Sequence, residues 1–325
     1  MHPAICIALC ASTLSAFAVP GAFAQAPYPT KAIRLVHGFT PGGISDVLAR
    51  SIATKLTGSF GQTVVVEARP GAGTTIASEL IAKAPADGYT LFLQDITTHA
   101  INASLYQRLP YDSVRDFTPV TLIAATPLML LAHPSLPARS LRELIVLAKA
   151  RPNEISHGSS GNGTIVHLAA EMLKSMAGVR MVHVPYKGSP QVVAGLLGGE
   201  VAISFATMPP ALPNVQAGKL RALGVTTATR TAAAPEIPTM KEGGLKDFEL
   251  VLYSGILAPR DCPRAIVDKL NAELGRIVRL PELEKIFSRV GAIAVTNSPD
   301  AFAQHINAEM SKLGKLVALS GARID

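Results

Sequence analysis

Two glycine-rich turns carry the most legible chemistry in this chain. The first is Thr40-Pro41-Gly42-Gly43-Ile44-Ser45-Asp46, and the second is Gly158-Ser159-Ser160-Gly161-Asn162-Gly163-Thr164. Each lies between a strand-like apolar run and an amphipathic helical segment. Glycine lets the backbone turn sharply there and lets a ligand approach the N–H groups. The first N–H groups of a helix have no partner within it, and the helix dipole adds partial positive charge at the same end. Two such turns, at the carboxyl ends of strands in opposite lobes, would face each other as anion cradles. A carboxylate suits them, because it offers oxygens to both. The same residue types also cap ordinary helices, and Asp46 fits a cap better than a ligand contact.

Other chemistries find no support in the spacing. Gly158 to Thr164 follows G-x-x-x-x-G-[ST] but lacks the Lys that a nucleotide P-loop places before the hydroxyl. Gly158-Ser159-Ser160-Gly161 does not satisfy G-x-S-x-G, so there is no nucleophile elbow. The histidines at 2, 37, 99, 133, 157, 167, 183 and 305 form neither H-x-x-x-H nor H-E-x-x-H. His167 reads as a helix-surface or capping group, zinc ligation is weakly supported, and no metal or organic cofactor is expected.

The elements that position the turns alternate along the chain. Ile33 to Val36 reads as a buried strand. The helix from Asp46 places Leu48, Ile52 and Leu56 on one face. Strand Val64–Val66, helix Ser78–Lys83 and strand Thr90–Leu93 follow. The second half continues with strand Leu128–Ala132, helix Ser140–Ala150, strand Ile155–His157 and helix Ile165–Met176. Strand Met181–Val184, helix Gln191–Leu197 and strands Val201–Phe205 and Ala222–Thr226 complete it. Single strands separated by helices predict an α/β fold with parallel sheets. Late helices, one through Ile266, Leu270, Leu274 and Ile277 and one starting at Ser298-Pro299-Asp300, are expected to return to the first half. Chain crossings near 120–127 and 249–258 predict two lobes with a ligand cleft between them. The domains are then 1–24 as an export signal, 25–124 with 252–325 as lobe 1, and 125–251 as lobe 2.

The composition fits a folded, exported protein. Hydrophobic residues make up 48% and charged residues 16%, the balance of a packed core rather than a disordered chain. The formal charge of +7 comes from scattered residues. A nucleic-acid footprint needs a clustered basic strip, so none is expected. The first 24 residues carry no Lys, Arg, Asp or Glu and end in Ala22-Phe23-Ala24, which predicts cleavage before Gln25 and a periplasmic location. Of three cysteines, Cys262 alone would remain, so no internal disulfide can form. No later segment reaches the ~18 apolar residues of a membrane span.

At these residues the chain resembles the substrate-binding proteins of tripartite tricarboxylate transporters, the Bug family of periplasmic solute receptors. The likeness runs from about Tyr28 to Asp325 through segments that keep the family's order. They are Pro41-Gly42-Gly43 with Asp46, Glu67-Ala68-Arg69-Pro70-Gly71-Ala72-Gly73, Ala86-Asp87-Gly88-Tyr89-Thr90 and Leu109-Pro110-Tyr111-Asp112. Then come Ser159 to Thr164, His183-Val184-Pro185-Tyr186-Lys187-Gly188, Gly218-Lys219-Leu220-Arg221-Ala222-Leu223 and the ending Ser320 to Asp325. The resemblance implies a two-lobed periplasmic-binding-protein fold of type II kind that closes on one carboxylate. Carried over, the grip comprises Thr40, Gly42 and Gly43 from one lobe and Ser160, Asn162, Gly163 and Thr164 from the other. The distal part of the ligand would meet Asp95, Thr97, Thr98, Ala206, Thr207 and Tyr253. The chain departs from the family pattern at four places. Thr40 adds a hydroxyl that bonds the ligand or caps the turn. Ala206 stands where many members carry Asp, and Tyr253-Ser254 replaces an aromatic pair. Asp95 is either a solvated loop acid or a ligand selector.

The function expected is capture of a small organic carboxylate by a monomeric receptor, not an enzyme, for the membrane components of a tripartite tricarboxylate transporter. One alternative is an interaction partner of a membrane sensor kinase. The other is an exported hydrolase of an anionic substrate, which would need a nucleophile–base pair.

Overall fold

The computed structural model describes residues 28–320, so the expected export signal, with Cys6 and Cys10, lies outside the described residues. The chain runs β1 (Ile33–His37), α1 (Ile44–Phe60), β2 (Val64–Ala68), a 3-10 turn (Ala72–Thr74), α2 (Thr75–Ala82), β3 (Thr90–Asp95) and α3 (Ile96–Leu105). The long strand β4 (Phe117–Ala132) leads into α4 (Leu141–Ala150), β5 (Ser156–Ser159), α5 (Ile165–Ala177), β6 (Val182–Pro185) and α6 (Ser189–Leu197). Next come β7 (Ile203–Thr207), α7 (Met208–Gln216), β8 (Arg221–Val225), β9 (Val251–Pro259) and α8 (Arg264–Ile277). The chain ends with α9 (Pro281–Arg289), β10 (Ile293–Ala294) and α10 (Pro299–Ser320).

Local sequence explains most of these boundaries. In α1, Leu48, Ile52 and Leu56 form the buried stripe, and Gly61 ends the helix in a left-handed conformation with its N–H on the Thr57 carbonyl. Every residue of β3 is buried, as expected for a central strand covered on both faces. Two helices have no clear signal. Helix α3 follows β3 with no glycine or proline between them, and β-branched Thr97 and Thr98 open it. Helix α7 contains three prolines, Pro209, Pro210 and Pro213.

The sheets are mixed rather than parallel. Strand β1 pairs in parallel with β2 and β3, and β5 pairs in parallel with β6 and β7. The strands that join these groups run antiparallel. Strand β9 lies between β3 and β4, while β4 pairs with β7, β8 and β10. The parallel expectation therefore holds only for the outer strands. An alternating α/β pattern does not reveal a strand that enters from a distant part of the chain.

Strand β4 belongs to both lobes. Its Phe117–Pro127 stretch pairs with β9, and its Leu128–Ala132 stretch pairs with β7 and β8. Proline cannot donate to a ladder, and Pro127 stands at the changeover. Helices α8 and α10 return to the first lobe. Asn271 of α8 donates to the Val120 carbonyl at 2.8 Å, and α10 lies across α3. Among the described residues, no helix is long and apolar enough to cross a membrane. Cys262 is a buried free thiol, raised to about 11 by burial first and by the nearby Asp87 carboxylate.

The α10–β9 contact is tight. A Cβ on Gly255 of β9 would overlap the ring of Phe302, which is fully buried. Gly255→Ala is expected to destabilise the protein by about 1–3 kcal/mol through overpacking, measured by urea unfolding. A loss below about 0.5 kcal/mol would mean that the ring moves aside freely.

Candidate functional site

The N-terminal ends of five helices line one small cavity between the lobes. Gly43, Ile44 and Ser45 come from α1, Asp95 caps α3, and Ile165 and Val166 open α5. Ser189 and Pro190 open α6, and Thr207 caps α7. Phe39 and Leu252 add apolar wall. The free space is about 20 Å³, room for about one water molecule, so the lobes are closed on each other. Each helix end contributes roughly half a positive charge at most, and no Lys or Arg lies among the lining residues. The donors in this cavity are therefore helix N–H groups and hydroxyls rather than cationic side chains, and Asp95 is its one acid.

The hydroxyls are organised by short bonds. Ser160 Oγ donates to Thr164 Oγ1 at 3.0 Å, and Thr164 Oγ1 donates to the Gly161 carbonyl at 2.8 Å. Thr164 also accepts from the His167 N–H at 3.4 Å and so caps α5. Thr40 bonds across the cleft, donating to Gln191 Oε1 of α6 at 2.8 Å. The Thr207 hydroxyl is buried, lines the cavity and has no hydrogen-bond partner.

Asp95 is not a solvated loop acid. It is 1% exposed and ends β3, where it caps α3 by accepting from Thr98 N–H at 3.0 Å and Thr98 Oγ1 at 2.6 Å. Thr98 Oγ1 in turn accepts the Ile165 N–H of α5 at 3.1 Å. An acid of the first lobe is thus linked through one hydroxyl to a helix end of the second. Burial raises the Asp95 carboxyl to about 6, against the opposing pull of its bonds from Thr98.

The remaining expected site residues fall into two groups. Thr40, Gly43, Asp95 and Ser160 line the cavity, as does Thr207. Gly42 gives its N–H to Asp46 Oδ2 at 3.0 Å, so Asp46 acts as the expected cap. Asn162 is exposed at the cleft mouth. Gly163, at φ +76°, has Asn102, Leu105 and Tyr106 where a side chain would be, and it allows the lobes to touch. Thr97 Oγ1 ties α3 to β9 by donating to Val251 O at 3.0 Å and accepting Tyr253 N–H at 3.1 Å. Ala206 lies buried in β7. Tyr253 turns to α10, with its ring 4.5 Å from His305, while its neighbour Leu252 faces the cavity. Ser45, Ser189 and Pro190 were absent from the expectation. The Gly188-Ser189-Pro190 run is a third turn-to-helix signal that would have found the last two.

The fold also assembles a histidine stack invisible in the spacing. His183 lies between His157 and His167, at centroid distances of 4.9 and 4.2 Å, because β5, β6 and α5 adjoin there. Its Nε2 lies 2.6 Å from Ser159 Oγ. Burial holds all three imidazoles well below their ordinary value, at about 3 for His157 and about 4 for His167 and His183. Among the described residues, no group of His, Cys, Asp or Glu is placed to hold a metal ion.

Two α/β lobes joined by shared strands, with a closed cleft walled by helix N-termini, define a periplasmic-binding-protein fold. The chain belongs to the family described as tripartite tricarboxylate transporter family receptor, whose profile matches residues 48–321. Protein BugT of Bordetella pertussis is 35% identical over 298 residues, covering 91% of this chain and 91% of its own. An R. palustris protein solved with adipate is 36% identical with a TM-score of 0.89, over 92% of this chain and all of the other. MatC from Rhodopseudomonas palustris, with bound malate, is 29% identical with a TM-score of 0.85, over 89% of this chain and all of the other.

Folding strengthens the hold of Asp95 on its proton, so its contribution to stability is full below about pH 4 and is lost as pH rises through about 6. Asp95→Asn keeps a capping acceptor and removes this titration. The stability of the variant relative to wild type should rise by about 2–3 kcal/mol between about pH 4 and about pH 7, read by urea unfolding at each pH. A difference that stays constant across that window would contradict the burial of this carboxyl.

Proposed function

We propose that this protein is a periplasmic receptor that closes on one carboxylate group of a small organic acid and presents it to the membrane components of a tripartite tricarboxylate transporter. The observation that carries this reading is the convergence of five helix N-termini, from both lobes, on one small cavity. A carboxylate has about four acceptor sites, enough to bond N–H and hydroxyl groups from both sides at once. Such charge-assisted bonds contribute roughly 1.5–3 kcal/mol each, so a few of them support micromolar capture. Family membership and the acids bound by relatives, adipate and malate, support the ligand class.

In this reading the lobe boundaries fall at 124/125 and 251/252, inside the last few pairs of the β4–β9 ladder, which ends at Pro127 and Val251. The carboxylate lies among the α1 amides, Thr40, Gly43, Ser160 and the α5 turn shaped by Thr164. Gly42, Asn162 and Gly163 shape the turns, and Thr97, Thr98, Ala206 and Tyr253 support the walls. The protein acts as an exported monomer whose first 24 residues direct secretion.

One feature speaks for the hydrolase alternative, the Ser159–His183 contact. It favours no catalysis, because neither residue lines the cavity and the Ser159 hydroxyl is engaged with the backbone of Gly161. The receptor reading therefore assigns no turnover.

A thermal-shift screen against mono-, di- and tricarboxylates tests the proposal. An acid at about 100 times its dissociation constant should add about 2.7 kcal/mol of stability. Thr164→Ala is expected to weaken that acid about tenfold while costing about 1 kcal/mol as a lost helix cap, and Thr164→Ser should restore both. Equal affinity in the alanine variant would remove this turn from the site.

A further inference from the structure

We propose that Asp95 makes this receptor select carboxylates that also carry a hydrogen-bond donor, a hydroxyl or an ammonium group, over their unsubstituted counterparts. The inference rests on the receptor reading and names the kind of acid that fits the same cavity.

Asp95 is the one charged residue among those lining the cavity. Its bonds from the Thr98 hydroxyl and from the Thr98 and Thr97 N–H groups still leave one acceptor site, since an ionised carboxylate has about four lone-pair sites. At 1% exposure that capacity cannot be met by bulk solvent, only by what enters the cavity. On the second lobe, the Thr207 hydroxyl is also buried without a partner and lines the same space. The walls therefore offer two kinds of polar group. Helix ends and Thr207 can donate to a carboxylate, while Asp95 can only accept when ionised.

Charge decides the selection. A ligand carboxylate brought near ionised Asp95 places two like charges in a space with little water, which disfavours binding. The α3 N-terminus and its N–H groups favour the ionised form of Asp95, but no cationic side chain answers its charge. The charged group that acts on it is Glu309 of α10, another carboxylate, whose partner Lys312 lies 4.0 Å away from it. A hydroxyl or ammonium on the ligand, pointed at Asp95, converts this repulsion into a hydrogen bond. Sites built to bond a substrate donor discriminate strongly against the analogue that lacks it, because a buried acceptor is then left unpaired.

The test is calorimetric titration of the purified protein at about pH 7.5 with matched acids. Succinate, malate and aspartate form one set; adipate, 2-hydroxyadipate and 2-aminoadipate form the second; propionate, lactate and alanine form the third. In the set that fits the cavity, a donor-bearing acid should bind at least about tenfold more tightly than the unsubstituted one. Asp95→Asn keeps a neutral acceptor, so a hydroxyl preference should shrink while an ammonium preference disappears. Asp95→Ala should abolish either preference and bind the unsubstituted acid at least as well as wild type does.

Equal affinities within every set would overturn the inference and leave the receptor reading standing. So would a preference that survives Asp95→Ala. Tight binding of an unsubstituted acid that strengthens tenfold towards about pH 5.5, and loses this dependence in Asp95→Asn, would show Asp95 acting as a protonated donor instead. If none of the acids binds, the receptor reading fails and the inference fails with it.

Discussion

Five helix N-termini meeting in one small cavity repel one another, and the rest of the structure is arranged around that constraint. Each end carries partial positive charge and first-turn N–H groups without a helical partner, fewer where Pro190, Pro209 and Pro210 stand, so their convergence is costly until something negative or oxygen-rich answers it. The chain supplies part of the answer itself. Asp95 caps α3, Thr98 passes an acceptor on to Ile165 of α5, and Thr164 caps the same helix. The remaining demand, on the α1 and α6 ends and the Thr207 hydroxyl, is what a carboxylate would satisfy. Since the five ends belong to two lobes, satisfying them together would favour the closed state, so that in the proposed receptor binding and closure become one event.

The sheet topology makes that convergence possible. In the outer parallel units, each strand delivers its helix with the N-terminus at the strand's carboxyl end, where open α/β sheets hold their ligands. Strands β4 and β9 do a different job. They run antiparallel to their neighbours and carry backbone bonds from one group of parallel strands to the other. The changeover along β4 at Pro127 to Leu128 gives the lobes a shared spine and leaves their facing loops free to approach or separate. Gly163 and the Thr40–Gln191 bond mark how closely those loops come together.

Much of this was legible in the sequence, for local reasons. Glycine, proline and serine announce the turns at Thr40–Asp46 and Gly158–Thr164, and apolar periodicity announces α1, α5 and α8. What escaped depends on contacts distant in sequence. The cap role of Asp95 was hidden because β3 runs into α3 with no turn residue, so an acid there looked solvated. The cavity face of β9 depends on strand phase: a one-residue shift exchanges Leu252 for Tyr253, and no local signal fixes that phase. The stacked histidines come from β5, α5 and β6, whose adjacency only the fold reveals. The antiparallel insertion of β9 was equally hidden, because its partners lie more than a hundred residues earlier in the chain.

The most direct measurement is amide NMR of the isotopically labelled protein during titration with a binding acid. The largest shifts are expected on the opening amides of three helices, Ile44 and Ser45 of α1, Val166 of α5 and Ser189 of α6, with both lobes responding at the same ligand ratio. Shifts concentrated elsewhere, such as the surface groove beside Arg230 and Glu284, with these amides unchanged, would contradict this expectation.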